Sequence, residues 1–213
     1  MNKKFKTPQE IFWSKDFGNN YITRNSDQLL KKSNDNFFRN IFGKSENISS
    51  CLEVGANIGL NLISLKKIFK KQYQYAIEIN TQACKKLSKI LPKENIYNGS
   101  VLDFNIENSE FSCKKFELVL SKTFLIHINP NFIDSVYDKL FLLSKKYILI
   151  CEYFNPEPVD VIYRGYKKKL FKRDFAFEMI KKFNLKLKNY GFAYHLDEEF
   201  PQDNINWFLL EKN

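Results

Sequence analysis

The run SSCLEV enters the glycine turn GANIG and continues as LNLISLKKIFKK, and no other feature constrains this chain as much. An apolar strand that turns sharply at glycine and opens a helix is the start of a βα unit. From Ser49 onward strand-like and helix-like segments alternate, which predicts an α/β fold with a mainly parallel, Rossmann-like sheet. The strands are read as SSCLEV, QYAIEI, NIYNG, FELVLSK and KYILICEYF, with helices over Thr81–Leu91 and Asn131–Leu143 between them. NPEPVDVIYRGYKKK then reads as a loop and FKRDFAFEMIKKF as a helix. LKLKNYGFAYHL and NINWFLLEK read as a closing antiparallel pair. Residues 8–42 read as one or two helices, the second with Ser26 and Asp27 at its start. The expected division is therefore a helical extension or lid over 1–48 and a ligand-binding domain over 49–213.

Composition narrows the class without deciding it. A chain of 213 residues suits one domain, and 44% hydrophobic residues suffice for its core. No apolar run approaches the ~18–20 residues of a membrane span, and MNKKFKTPQEIF lacks a secretory apolar stretch. A cytoplasmic protein with no membrane association is expected. Cys51, Cys84, Cys113 and Cys151 lack metal-ligand spacing, so reduced cysteines and no metal site are expected. The net charge of +10 fits best with solvated lysine faces such as KKIFKK, with an anionic partner as the alternative.

The turn itself indicates a ligand. A dinucleotide enzyme wants GxGxxG to seat a pyrophosphate, whereas this turn is GxxxG, with Asn57 at the middle position and Glu53 just before Gly55. Acidic residues there suit the cationic amino and sulfonium groups of S-adenosylmethionine better than phosphates. Glu78 ends the second strand, 25 positions after Glu53, where a carboxylate can accept hydrogen bonds from ribose hydroxyls. After the third strand Asp103 can meet the exocyclic amine of adenine, while Ser100, Val101 and Leu102 line the ring. Ala56, Gly59, Ile79, Ser121 and Lys122 complete the expected cofactor set.

In this order and spacing the sequence resembles a class I methyltransferase, and more narrowly the pseudaminic acid biosynthesis-associated methylases. The residues that carry the resemblance are FWSKDFGNNYITRN, LEVGANIGLN, FLIHINP, YFNPEPVDVIYRGYKKKLFKRDFA and FPQDNINWFLLEK. The resemblance implies a three-layer sandwich around a seven-stranded sheet whose last strand is antiparallel. It implies S-adenosylmethionine as cofactor, S-adenosylhomocysteine as product, and an acidic sugar or nucleotide sugar as small-molecule substrate. It places Glu53, Gly55, Asn57 and Gly59 around the methionine moiety, Glu78 at the ribose and Asp103 at the adenine. SKTFLIH departs from the family at Thr123, where a glycine is expected.

Ligands of open α/β sheets lie at the carboxyl ends of the strands, which directs attention to the segments after strands four and five. His127 there is a candidate proton acceptor, or a histidine that only holds the next helix. Thr123, Glu152, Tyr153 and Asn155 are further substrate candidates. Arg164, Lys172 and Arg173 form a cationic group that can hold a carboxylate or phosphate, or else a solvated helix start. Tyr21 and Arg24 are candidates for a lid, and His195 is expected to be structural. An RNA or protein methyltransferase and a non-catalytic binding module stay open as alternatives. The basic charge favours the first, but no [DN]PP[YF] motif or appended RNA-binding module supports nucleic acid as the partner.

Overall fold

The computed structural model describes residues 5–24, 28–42 and 47–213; for Arg24 and residues 28–31 only the backbone is described. Three helices come first, α1 (Pro8–Ser14), α2 (Asp16–Arg24) and α3 (Gln28–Phe42). The predicted helix over PQEIFWSKDF is in fact broken at Lys15, whose ψ of −144° is non-helical. Thr7 caps α1 in a reciprocal box with Glu10, and Pro8 stands at its first position. The expected caps Ser26 and Asp27 lie outside the described residues.

The core sheet contains β1 (Ser50–Val54), β2 (Tyr73–Glu78), β3 (Ile96–Asn98), β4 (Phe116–Lys122), β5 (Ser144–Glu152), β8 (Lys186–Ala193) and β9 (Ile205–Glu211). Its order is β3-β2-β1-β4-β5-β9-β8, and only β9 runs antiparallel to its neighbours. β1 is buried at all five positions and β5 at its last six, as central strands covered on both faces must be. Helices α3, α4 (Leu60–Ile68) and α5 (Thr81–Leu87) cover one face, through Phe37, Phe38, Leu62, Leu65 and Leu87. Helices α6 (Ile133–Leu143) and α7 (Phe175–Phe183) cover the other, through Val136, Tyr137, Leu140 and Met179. The result is the three-layer sandwich expected from the sequence, with β1 at the switch point between β2 and β4.

The segment read as a loop after β5 is a two-stranded hairpin, β6 (Val159–Tyr163) and β7 (Tyr166–Lys172), outside the main sheet. Arg164 and Gly165 form its two-residue turn with φ of 49° and 86°, the positive pair that matches hairpin twist. The consecutive Lys167, Lys168 and Lys169 on an exposed strand hide the β period, and β7 displaces the start of the next helix to Phe175. Among the described residues no helix is long and apolar enough to cross a membrane.

Candidate active site

The carboxyl ends of β1, β2, β3 and β4 border one cavity of about 420 Å³. Its floor is the turn after β1. Gly55 has φ 74° and donates its N–H to the Ile77 carbonyl (2.9 Å), while Asn57 and Gly59 also sit at positive φ. A Cβ on Gly55 would lie 2.4 Å from the Phe124 ring, so the turn is a cradle that only glycine leaves open. Gly55, Ala56 and Asn57 line the cavity, whereas Gly59 stands below them as the N-cap of α4.

Glu78 lies at the rim of this cradle, 7% exposed. Its Oε2 accepts from the Asn57 N–H and its Oε1 from the Asn80 N–H, both at 2.7 Å. Burial raises its carboxyl pKa, and those N–H groups pull it back. The Ile79 N–H adds to that pull, and the roughly four acceptor sites of a carboxylate still leave room for a ligand hydroxyl. Ile79, Ser100, Val101 and Leu102 continue the same wall.

The opposite end is built from amides. Gln202 Nε2 donates to Asn34 Oδ1 (3.2 Å), Asn34 Nδ2 to Asn61 Oδ1 (3.0 Å), and Asn61 Nδ2 to Glu53 Oε1 (2.6 Å). Glu53 is 1% exposed and lies behind this chain, its Oε2 without a hydrogen-bond partner. Burial pushes its carboxyl up to about 8, with Asn61 and Lys122 opposing. Lys122, half-buried, is the one lysine or arginine among the described lining residues, and burial lowers its ammonium pKa.

Glu53 gives a pH prediction with a definite sign. Its folded pKa lies above its ordinary value, so the stability it contributes is complete below about pH 4.5 and is lost as pH rises toward 8. Glu53→Gln keeps an acceptor for Asn61. Relative to that variant, the ligand-free protein should lose roughly 2–3 kcal/mol between pH 6 and pH 9, read by urea denaturation at both.

The turn after β4 carries the other polar groups. Glu152 Oε1 accepts from Ser121 Oγ (2.7 Å) and from the Phe124 and Leu125 N–H groups (3.0 Å each). Burial lifts this carboxyl to about 7. Glu152 and Ser121 thus fasten the turn from behind and do not line the cavity. Thr123 does line it, and its φ of 52° explains why a glycine is expected there: a β-branched residue is strained in that region. Thr123→Gly should stabilise the protein by about 0.5–1 kcal/mol, the relief of strain exceeding glycine's entropic cost, and thermal melts would show it.

His127 stands one turn further, 8% exposed, at the cavity wall. Its Nδ1 is 2.7 Å from the Lys169 carbonyl. A carbonyl only accepts, so Nδ1 carries the proton and Nε2 is left as an acceptor. Burial lowers its pKa to about 4, against that hydrogen bond, so the ring is neutral at neutral pH. Trp13 and Tyr163 pack on it, with ring centroids 4.5 and 5.1 Å away.

Helices α1 and α2 form the cover. Thr7, Gln9, Glu10, Trp13, Gly18 and Tyr21 all line the cavity. The cover is latched to the sheet ends: Asn80 Nδ2 donates to the Trp13 carbonyl (3.1 Å), and Asn129 Nδ2 to Gln9 Oε1 (3.1 Å). The Arg24 side chain lies outside the described residues.

Several candidates stand elsewhere. Asp103 is exposed and paired with Lys6 at 2.7 Å. Arg164 is exposed at the hairpin turn. Arg173 binds Glu178 (3.1 Å), Lys172 Nζ stands 5.3 Å from the centroid of the Tyr153 ring, and Asn155 Nδ2 donates to the Glu157 carbonyl (2.6 Å). None of these, Tyr153 included, lines the cavity. His195, expected to be structural, does border it while its Nδ1 lies 2.9 Å from Asn204 Oδ1. Glu10, Trp13, Asn34, Gln202 and Asp203 were not legible as site residues, since only the folded chain brings α1, α3 and the β8–β9 connection to the β1 turn, whereas Asn61 stands within the LEVGANIGLN motif and was missed there.

No protein-family model and no curated protein sequence matches the chain. Solved structures do. Magnesium protoporphyrin IX methyltransferase from Synechocystis PCC 6803, with bound S-adenosylhomocysteine, superposes with a TM-score of 0.69 at 10% identity, over 98% of this chain and 100% of that one. An S-adenosylmethionine-dependent methyltransferase from Archaeoglobus fulgidus gives 0.66 at 11% identity, over 92% and 100%. One from Clostridium acetobutylicum gives 0.62 at 9% identity, over 93% and 100%. The chain has the fold of the class I methyltransferases.

Proposed function

We propose that this chain is an S-adenosylmethionine-dependent methyltransferase acting on an amine or hydroxyl of a small, anionic, sugar-derived molecule. The observation that carries the reading is the pairing of the open Gly55 cradle with the buried Glu78 carboxylate, in one cavity at the sheet's switch point. These fit an adenosine without a pyrophosphate: acceptors for ribose hydroxyls, and no second glycine where phosphates would press.

S-adenosylmethionine supplies a methyl group on a cationic sulfur, and the protein's part is to bind, orient and manage the proton. Glu78 takes the ribose hydroxyls. Asn61, held by Glu53 and Asn34, faces the amino-acid end, and Lys122 meets its carboxylate. His127 Nε2 would accept the proton that the acceptor nitrogen or oxygen gives up as its bond to the methyl carbon forms and the carbon–sulfur bond breaks, with S-adenosylhomocysteine as the leaving group. Helices α1–α3 exclude water and align the reactants, which is most of what an in-line displacement requires. Amide and hydroxyl groups suit a polyhydroxylated acceptor, and the net charge of +10 draws an anionic one. The acidic sugar itself rests on the resemblance to the pseudaminic acid-associated methylases.

The test is incubation with S-adenosylmethionine and a panel of acidic amino sugars and nucleotide sugars, read by mass spectrometry. A sugar that gains one methyl mass supports the reading. The exposed Arg164, Lys167 and Lys168 of the hairpin favour a second reading, a macromolecular acceptor. Methylation of RNA or protein with every sugar unchanged would select it.

A further inference from the structure

We propose that Glu10, on the covering helix α1, reads the exocyclic amine of adenine, a task the sequence assigns to Asp103. The inference rests on the S-adenosylmethionine reading above. Asp103 does not line the cavity; its carboxylate is exposed and held 2.7 Å from the Lys6 ammonium. Ser100, at the start of that turn, already accepts the Leu102 N–H on its Oγ (3.1 Å).

Glu10 fills the gap. It is 8% exposed and lines the cavity along with Ser100, Val101 and Leu102. Its Oε2 is fixed by three donors: the Thr7 N–H (2.7 Å), the Lys6 N–H (2.8 Å) and Thr7 Oγ1 (3.0 Å). Its Oε1 is buried and has no partner. The same Lys6 reaches the Leu102 carbonyl (3.4 Å) and Asp103, pinning the start of α1 against the turn after β3. A buried carboxylate oxygen left unmade is costly, so the position favours a ligand N–H over an empty wall. An ionised carboxylate only accepts, so it welcomes the amine of adenine and repels the carbonyl that replaces it in hypoxanthine. Recognition of the base is thereby coupled to closure of the cover.

The test is calorimetric binding of S-adenosylhomocysteine and of its inosine counterpart, S-inosylhomocysteine, to the wild type, Glu10→Gln and Asp103→Asn. The wild type should prefer the adenine ligand by about 10- to 100-fold. Glu10→Gln keeps an oxygen for the α1 cap and gains an N–H, so its preference should collapse toward unity with binding of the inosine ligand improved. Asp103→Asn should discriminate like the wild type. Undiminished discrimination in Glu10→Gln, or its loss in Asp103→Asn, would overturn the inference while leaving the cofactor in place. A wild type that binds the two ligands equally would overturn it without recourse to any variant. Failure of the wild type to bind either ligand would instead overturn the cofactor reading, and the inference with it.

Discussion

Glu78→Ala should lower the affinity for S-adenosylhomocysteine by about 10²- to 10³-fold, the largest loss from any single side chain in the cavity. Two effects combine. The ribose hydroxyls lose charged acceptors, each worth roughly 1.5–3 kcal/mol. The Asn57 and Asn80 N–H groups also lose their 2.7 Å partner, which frees the turn after β1 and the start of α5 together. Stability should fall as well, by about 1–3 kcal/mol, because buried donors are left unpaired. Glu78→Gln separates the two effects: it retains one oxygen, so the fold should hold while affinity still drops. Isothermal titration of both variants, with thermal melts alongside, reads the outcome. Unchanged affinity in Glu78→Ala would remove Glu78 from the site.

Gly55→Ala should be comparably damaging, through shape alone. At φ 74° an alanine costs about 1–2 kcal/mol, and its Cβ would stand 2.4 Å from the Phe124 ring. Phe124 cannot yield freely, because its backbone N–H is tied to Glu152. The ring would have to move into the cavity or the turn would have to open. A stability loss of roughly 2–4 kcal/mol is expected, with binding of S-adenosylhomocysteine abolished. A variant with wild-type affinity would show that the cradle does not meet the ligand. Chemical denaturation and the same titration distinguish these results.

Much of the scaffold was legible because each of its parts is written locally. β1, β2, β4 and β5 are short apolar runs, and the β1 turn announces itself through Gly55 and Gly59. The positions of Glu78, Ser100 and Lys122 then follow from strand ends, and the structure brings them to one cavity. The hairpin β6–β7 escaped because its exposed lysines mask a period of two. The cationic group expected there fails for a related reason. Arg173 has a local carboxylate in Glu178, and the hairpin turn directs Arg164 outward, neither of which spacing reveals. Contributions from remote segments were out of reach altogether. Gln202 joins Asn34 across 168 positions, and Glu10 approaches the β3 turn across some ninety, so only tertiary structure brings them to one cavity. Thr123 is the instructive middle case: the residue type looked out of place from the sequence, and its positive φ supplies the reason.

The most direct measurement is calorimetric titration of the purified protein with S-adenosylmethionine and, separately, with NADH. Saturable binding of S-adenosylmethionine with no heat from NADH is the predicted result. No binding of S-adenosylmethionine, or a preference for NADH, would contradict the methyltransferase reading and leave the α/β fold as all that stands.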